Sequence, residues 1–390
     1  MRIGFDAHYI GARVLGRETY LANLIDRLAH QDFENEYVLY VSEPQAMALG
    51  PHIGGRFELR ILPSRLTIIQ RAILLPRRLR RDGIEVFYLH TLGVPFYRGR
   101  TVLAVHGIRE LSFAPPEHRL MQRVLLPWSL ESATRVIANS EFTRQEILSG
   151  YGLPAERVRV VHGGVDPHIF HPAPAHPVPS PEPAGHAGHP DAGDAEPGRL
   201  EPSLAYVLYV GAIEPRKNLA RLLAAFARAR PRLPPGFALA IAGIPRGREG
   251  GRHEASLRSL CGHLGIAEAV RWLGYVSPGQ AAALMRGARL FAFPSLHESF
   301  GLPPLEAMAC GTPVLASRVG AMPEVLGESP LWCDPLDVPG VTEALVRLVH
   351  DSDLRACLVE RGRAQAARFT WEATAERTLE VFREASANGA

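Results

Sequence analysis

Two carboxylates flank a glycine and two prolines in the stretch His297-Glu298-Ser299-Phe300-Gly301-Leu302-Pro303-Pro304-Leu305-Glu306-Ala307-Met308-Ala309-Cys310-Gly311. Proline suits the first helical turn, where its missing N–H costs nothing, and Gly311 is placed to end a helix of about two turns. The pattern predicts Glu298 in a loop, Glu306 on the early helix, and free backbone N–H groups near Gly301 to Pro304 between them. A helix start of this kind favours an anion such as phosphate. Carboxylates beside it are poor phosphate ligands but good acceptors from hydroxyls, so phosphate and hydroxyls together describe a nucleotide sugar. The plainer reading makes Glu298 a helix-end charge and Glu306 a surface residue, each contributing a few tenths to about 1 kcal/mol.

A second group stands in Glu214-Pro215-Arg216-Lys217-Asn218, directly after an apolar run and at the head of a helical pattern. Two cations and a helix start converging there would clamp a diphosphate, with charge-assisted hydrogen bonds of about 1.5–3 kcal/mol each. The alternative is a solvated helix start. His106, in Val105-His106-Gly107, follows another apolar run, at the edge where open α/β sheets bind ligands. The loop from Gly11 to Tyr20 carries Gly11 and Gly16 without the Gly-x-Gly-x-x-Gly spacing of a dinucleotide fingerprint, although its glycines permit close approach to a ligand.

The elements that must position these residues follow from periodicity. Arg2 to Ala7 reads as a short buried strand, then a glycine loop, then an amphipathic helix from Thr19 to His30. Runs at 37–41, 57–62, 85–89, 101–105, 135–138 and 158–161 continue as buried parallel strands with room for crossover helices, which makes an α/β domain over 1–170. From 171 to 203 the chain turns to Pro, Ala, Gly and Asp with almost no large apolar residue, the composition of a disordered linker or insert. Its histidines His171, His176, His186 and His189 lack the spacing and partners of a metal site. A second α/β domain occupies 204–370, with strands at 205–211, 237–242, 270–273, 290–294 and 313–317, helices at 219–229 and 281–286, and a helical pattern over 341–369. A last helix, 371–390, starts after Thr370 as N-cap.

The composition narrows the function classes. A chain of 390 residues suits two domains, and a net charge of +3 lacks the concentrated basic face that nucleic-acid binding requires. Cys261, Cys310, Cys333 and Cys357 form no Cys-x-x-Cys pair, so neither a disulfide framework nor a cysteine zinc site is indicated, and a reducing cytosol fits. No signal-peptide core or membrane-spanning apolar run is present, so a cytoplasmic protein is expected, at most peripheral at the inner face of a membrane.

Taken together, the Glu-x7-Glu of Glu298 and Glu306, Glu214-Pro215-Arg216-Lys217-Asn218, Ala138-Asn139-Ser140-Glu141-Phe142-Thr143, His162-Gly163-Gly164-Val165-Asp166 and Gly320-Ala321-Met322-Pro323-Glu324-Val325 resemble family 4 of the retaining glycosyltransferases. The resemblance covers nearly the whole chain outside the Pro-rich insert. It implies the GT-B fold: two Rossmann-like doubly wound domains facing a cleft, with the C-terminal helix crossing back to the N-terminal, acceptor-side domain. It further implies that Lys217 and Arg216 hold the donor diphosphate, Glu306 the ribose hydroxyls, and that Glu298 lies near the donor sugar. Phe300, Gly301 and Leu302 would present backbone amides to phosphate and sugar, His106 matches the family's active-site histidine, and Gly16 a glycine of the N-terminal loop that meets donor phosphate and acceptor. Two departures stand out: the loop's paired glycine is here Leu15-Gly16, and the arginine frequent after the strand glycine is Ala212, which leaves more of the charge to Arg216 and Lys217.

The implied reaction moves a hexosyl group from a nucleoside-diphosphate sugar to a saccharide or lipid-linked acceptor in polysaccharide biosynthesis. The donor expected from the bacterial mannosyltransferases is GDP-mannose, the alternative a UDP-hexose used by a glucosyl or other hexosyl transferase. No cofactor is expected, and because cations and helix amides stabilise the leaving diphosphate, no Asp-x-Asp metal site is needed. Rival readings are a sugar-nucleotide epimerase, against which the Glu298/Glu306 spacing and the Arg216-Lys217 pair speak, and an inactive nucleotide-sugar-binding homologue, against which the retention of Glu298, Lys217 and His106 speaks. The pattern Ile68 to Arg81, apolar at Ile69, Ile73, Leu74 and Leu75 and basic at Arg71, Arg77, Arg78, Arg80 and Arg81, suits either a helix resting on an anionic membrane or a packed helix with a solvated basic end.

Overall fold

A computed structural model describes residues 1–8, 10, 16–42, 55–62, 68–90, 93–94, 97–108, 116–172, 204–245 and 247–387. The loop 11–15, with Leu15, and the segment 173–203 with three of its four histidines lie outside the described residues. By contacts the chain divides into one unit of Met1–Gly164 with Phe369–Ala390 and another of Val165–Arg368.

The first unit runs β1 (Arg2–Asp6), α1 (Gly16–Gln31), β2 (Glu36–Ser42), β3 (Phe57–Leu62), α2 (Ile68–Arg81), β4 (Val86–His90), β5 (Arg100–Val105), α3 (Pro116–Ser132), β6 (Arg135–Ala138), α4 (Glu141–Tyr151) and β7 (Val158–Val160). The second runs β8 (Tyr206–Val210), α5 (Leu219–Ala229), β9 (Ala238–Ala242), α6 (Gly247–His263), β10 (Val270–Gly274), α7 (Pro278–Gly287), β11 (Leu290–Phe293), α8 (Leu302–Ala309), β12 (Val314–Ser317), α9 (Met322–Leu326), β13 (Leu331–Cys333), α10 (Val338–His350) and α11 (Ser352–Ala366). The last helix, α12 (Trp371–Ala387), belongs to the first unit.

Both sheets are parallel, in the orders β3-β2-β1-β4-β5-β6-β7 and β10-β9-β8-β11-β12-β13. Strands buried on both faces need continuous apolar runs rather than alternation, which is why β4 reads Val-Phe-Tyr-Leu-His with every residue buried. In each doubly wound sheet the strand order reverses beside the first strand of the unit, between β1 and β4 and between β8 and β11. Ligands bind such sheets outside the carboxyl ends of the strands at that reversal. Helix α5 shows how a crossover is seated: Leu219, Leu222, Leu223, Phe226 and Ala229 fall on one face and are all buried, each large apolar side chain contributing roughly 1.5–3 kcal/mol.

The C-terminal helix is fixed to the first unit by packing and by charge. Trp371 is 1% exposed, Phe382 packs edge-on against Phe5 and Tyr88, and Glu384 accepts from Arg135 and Arg159, each at 3.0 Å. The chain leaves the first unit through His162-Gly163-Gly164 and re-enters it at Phe369, and the two crossings are tied where Thr374 donates to the His162 carbonyl at 2.8 Å. A Cβ on Gly164 would stand 2.3 Å from the Trp371 nitrogen, so only glycine allows that approach.

Candidate active site

In the second unit the sheet's carboxyl edge is drawn in by glycines. Gly211 follows β8 and donates to Ala242 at 3.0 Å, and Gly243 follows β9 and donates to Gly274 at 2.7 Å. A Cβ on Gly243 would sit 1.8 Å from the Gly211 carbonyl oxygen, so neighbouring strand ends touch backbone to backbone. Beyond Gly211 the chain makes a 3-10 turn at Pro215–Lys217 and passes through Asn218 at φ 61, the one non-glycine residue with positive φ among the described residues. That conformation is held from the side chain: Asn218 Nδ2 donates to the carbonyls of Pro294 at 2.9 Å and Pro335 at 2.7 Å. The turn is further tied to the end of β11 by Leu296 N–H donating to the Arg216 carbonyl at 2.8 Å.

This tie brings the two motifs together. Lys217 Nζ donates to Glu298 Oε1 at 2.6 Å, and Arg216 Nη1 donates to Glu298 Oε2 at 3.2 Å, while Arg216 Nη2 pairs with Glu214 at 2.7 Å. Arg216, Lys217 and Glu298 are only 7%, 6% and 5% exposed, and Lys217 Nζ stands 4.8 Å over the Phe293 ring. Burial works against charge on Glu298, but Lys217 and Arg216 outweigh it and hold the carboxyl at about 2. Burial and the neighbouring Arg216 lower the Lys217 pKa, with Glu298 opposing them. The cluster is two buried cations with one buried carboxylate, Glu298, and one half-buried carboxylate, Glu214.

Glu298 is also fixed through its backbone. Gly320, at φ 56, approaches so closely that a Cβ there would lie 2.1 Å from the Glu298 carbonyl oxygen, which accepts from Ala321 N–H at 3.0 Å. Gly301 is left-handed at φ 101 and abuts Met322, whose Sδ a Cβ would meet at 2.6 Å. Pro303 and Pro304 follow in the first turn of α8 and carry no N–H, so the donor set at this helix start is confined to Phe300, Gly301 and Leu302. Glu306 is half-buried one turn in; its carbonyl accepts from Cys310 N–H at 3.0 Å, its carboxyl makes no hydrogen bond or ion pair among the described residues, and burial pushes that carboxyl up to about 7.

In the first unit His106 follows β5. Its Nε2 lies 2.9 Å from Nδ1 of His90 at the end of β4, and the rings stack at 5.0 Å and 23°. Tyr20 of α1 closes edge-on over His106 at 4.7 Å. Gly16 is the exposed first residue of α1, which begins three residues before the expected Thr19. Among the described residues no atom would stand within 4 Å of a Cβ there, so the packing described does not itself demand glycine. Ser140 serves a local purpose, capping α4 by accepting from Thr143 N–H at 3.1 Å.

Comparison with known proteins places the chain. Residues 195–365 match the family model for glycosyl transferases group 1, and residues 15–169 match that for glycosyltransferase family 4. An O-antigen chain mannosyltransferase B of Escherichia coli is 31% identical over 321 residues, covering 80% of this chain and 78% of that protein. The chain belongs to this glycosyltransferase family. Among solved structures, sucrose-phosphate synthase from Thermosynechococcus elongatus aligns over 100% of both chains with TM-score 0.76 at 20% identity. Anabaena HepE in complex with UDP-glucose aligns over 98% of this chain and 99% of its own, with TM-score 0.73 at 18% identity. The sequence motifs contain Glu298, Arg216 and Lys217, which the structure brings together, but they leave out the residues that hold them. Asn218 was legible as part of a motif and not as the brace of the turn, and nothing in the sequence pairs His90 with His106.

Proposed function

We propose that this glycosyltransferase moves a hexosyl group, mannose from GDP-mannose as the leading assignment, to a saccharide or lipid-linked acceptor with retention of anomeric configuration and without a metal ion. The observation that carries the reading is the buried meeting of Lys217 and Arg216 with Glu298 at the carboxyl edge of β8 and β11, where the strand order reverses. In this reading Lys217 and Arg216 take the donor diphosphate, and the amides of Phe300, Gly301 and Leu302 reach phosphate and sugar. Glu306 accepts from the ribose hydroxyls and Glu298 from those of the sugar. His106 stands at the donor sugar and Gly16 at the donor phosphate and acceptor.

The chemistry follows from these roles. The bond from the sugar's anomeric carbon to the diphosphate breaks, the acceptor hydroxyl oxygen attacks the same face, and its proton passes to the departing phosphate oxygen. Negative charge grows on that diphosphate, and fixed cations in a dry site stabilise it without reorganising. The E. coli relative is named a mannosyltransferase, which supports mannose, and the HepE structure holds UDP-glucose, which supports a UDP-hexose as the second reading.

Among the described residues no helix is long and apolar enough to cross a membrane. On α2, Ile73 and Leu74 are exposed beside exposed Arg77, Arg78, Arg80 and Arg81, the make-up of a face that rests on anionic lipid, which supports work at the inner surface of a membrane on a lipid-linked acceptor.

The deciding experiment assays transfer from GDP-mannose and from UDP-hexoses with wild type and Lys217→Ala, with and without a chelator, reading the product's anomeric configuration by NMR. Lys217→Ala is expected to abolish turnover while the fold persists. Near-normal turnover overturns the diphosphate assignment, and a strict divalent-metal requirement overturns the metal-independent one.

A further inference from the structure

His90 ends β4 at 2% exposure, and the parallel register sets it opposite Ala104 of β5, two residues before His106. That register stacks the two rings and brings His90 Nδ1 to 2.9 Å from His106 Nε2. Two imidazole nitrogens at this distance share one hydrogen: one ring donates, the other accepts, and each fixes the tautomer of its neighbour. Two protons at the contact would set N–H against N–H.

The surroundings hold the pair in place. Tyr20 meets both rings edge-on, at 4.7 Å from His106 and 6.5 Å from His90, and is backed by Trp371 at 5.5 Å. Tyr88 meets His90 edge-on at 5.1 Å. Among the described residues at this edge, Asp6 and His8 at the end of β1 pair with each other.

We propose that His90 is a positioning residue for glycosyl transfer: by committing Nε2 of His106 to a shared hydrogen and stacking on its ring, it sets the plane and the tautomer in which His106 meets the donor sugar. The proposal rests on the assignment of His106 to that sugar. It predicts that His90 matters for turnover without touching the donor, since a reacting geometry displaced by about 1 Å can cost a hundredfold in rate.

The test uses the full chain labelled with 15N-histidine. Wild type is expected to show His106 Nε2 and His90 Nδ1 as one protonated and one unprotonated nitrogen joined through a hydrogen bond. His90→Phe keeps an aromatic ring and removes the nitrogen. It is expected to lower kcat about tenfold or more, to leave the donor KM within about twofold, and to release the His106 ring into mixed tautomers. His90→Asn, whose amide nitrogen can stand where Nδ1 stood, is expected to restore both the His106 Nε2 signal and most of kcat. Unchanged His106 signals in His90→Phe overturn the contact, and a His90→Asn no better than His90→Phe overturns positioning through the hydrogen bond. His106→Ala with full turnover overturns the donor-side assignment and with it the catalytic consequence, while the wild-type nitrogen spectrum still reports the contact separately.

Discussion

Replacing Glu298 with Gln tests the buried cluster because it keeps shape and removes one charge. In the wild type Glu298 neutralises Lys217 at 2.6 Å and Arg216 at 3.2 Å, all three buried. Its carboxyl, held near 2 against an ordinary 4.5, corresponds to roughly 3 kcal/mol of stabilisation of the charged form. Breaking a buried pair by removing one partner costs about 3–5 kcal/mol, which agrees. For a unit of this size that is a fall of about 6–12 °C in melting temperature. The signs in pH are set. The wild type's advantage is complete above pH 4.5 and is lost as pH falls toward 2. On the alkaline side Glu298→Gln regains stability as Lys217, its pKa already lowered, gives up its proton. Binding should move the other way: with Glu298 neutral, the two cations meet a diphosphate without a competitor, so GDP or UDP should bind about tenfold more tightly, roughly 1.4 kcal/mol. Calorimetric melting with and without nucleoside diphosphate, together with titration calorimetry, measures both quantities. A variant that melts within about 2 °C of wild type and binds the diphosphate no more tightly refutes the counter-ion argument.

Three further outcomes follow from the same geometry. Glu306 holds its proton up to about 7, so ionising it as pH rises from 4.5 through 7 costs the folded state up to about 3 kcal/mol. If its carboxylate accepts from ribose, donor affinity should rise about tenfold from pH 6 to pH 8 with proton release in titration calorimetry, and both effects should vanish in Glu306→Gln. Gly320→Ala should remove turnover while lowering stability by about 1–3 kcal/mol, because the new Cβ would press within 2.1 Å of the Glu298 carbonyl oxygen; an active variant would show that Glu298 tolerates displacement. Trp371→Ala should cost about 3–5 kcal/mol and expose α12 to limited proteolysis, and a protected helix would contradict the anchoring by Trp371.

The sheets and the principal charges were legible because parallel strands advertise themselves as apolar runs and because Glu298, Arg216 and Lys217 directly follow two of them. Other elements were hidden for physical reasons. Helix α6 opens with Gly-Arg-Glu-Gly-Gly-Arg, whose glycines carry poor helix propensity, so nothing local predicts a helix of 17 residues. The single helical pattern expected over 341–369 is two helices, parted where Asp351 turns out of the first and caps the second by accepting from Leu354 N–H at 2.9 Å. That cap also occupies Asp351 of Asp351-Ser352-Asp353. The contact of His90 with His106 was not legible because it exists only through the register of β4 on β5. The same holds for Glu298 accepting from both cations, which depends on β8 and β11 being neighbours although 79 residues lie between Val210, the last of β8, and Leu290, the first of β11.

The charge count of the cluster connects the two roles proposed for Glu298. Arg216 and Lys217 face buried Glu298 and half-buried Glu214, two cations against two carboxylates, so the cluster is neutral before any ligand arrives. A diphosphate entering this dry site adds negative charge beside two carboxylates, an arrangement that low dielectric makes costly unless a carboxylate gives up its contact. Glu214 keeps Arg216 through Nη2, whereas Glu298 holds the faces of both cations and is the group that must yield. On yielding, its oxygens lose their N–H donors and need replacements, which a sugar's hydroxyls supply. On the roles proposed above, diphosphate and hexose would be required together for full satisfaction of the site. On those roles a free sugar would find Glu298 occupied, a nucleoside diphosphate alone would leave it unmatched, and the intact nucleotide sugar would satisfy both, so donor affinity should exceed the sum expected from its two parts measured separately.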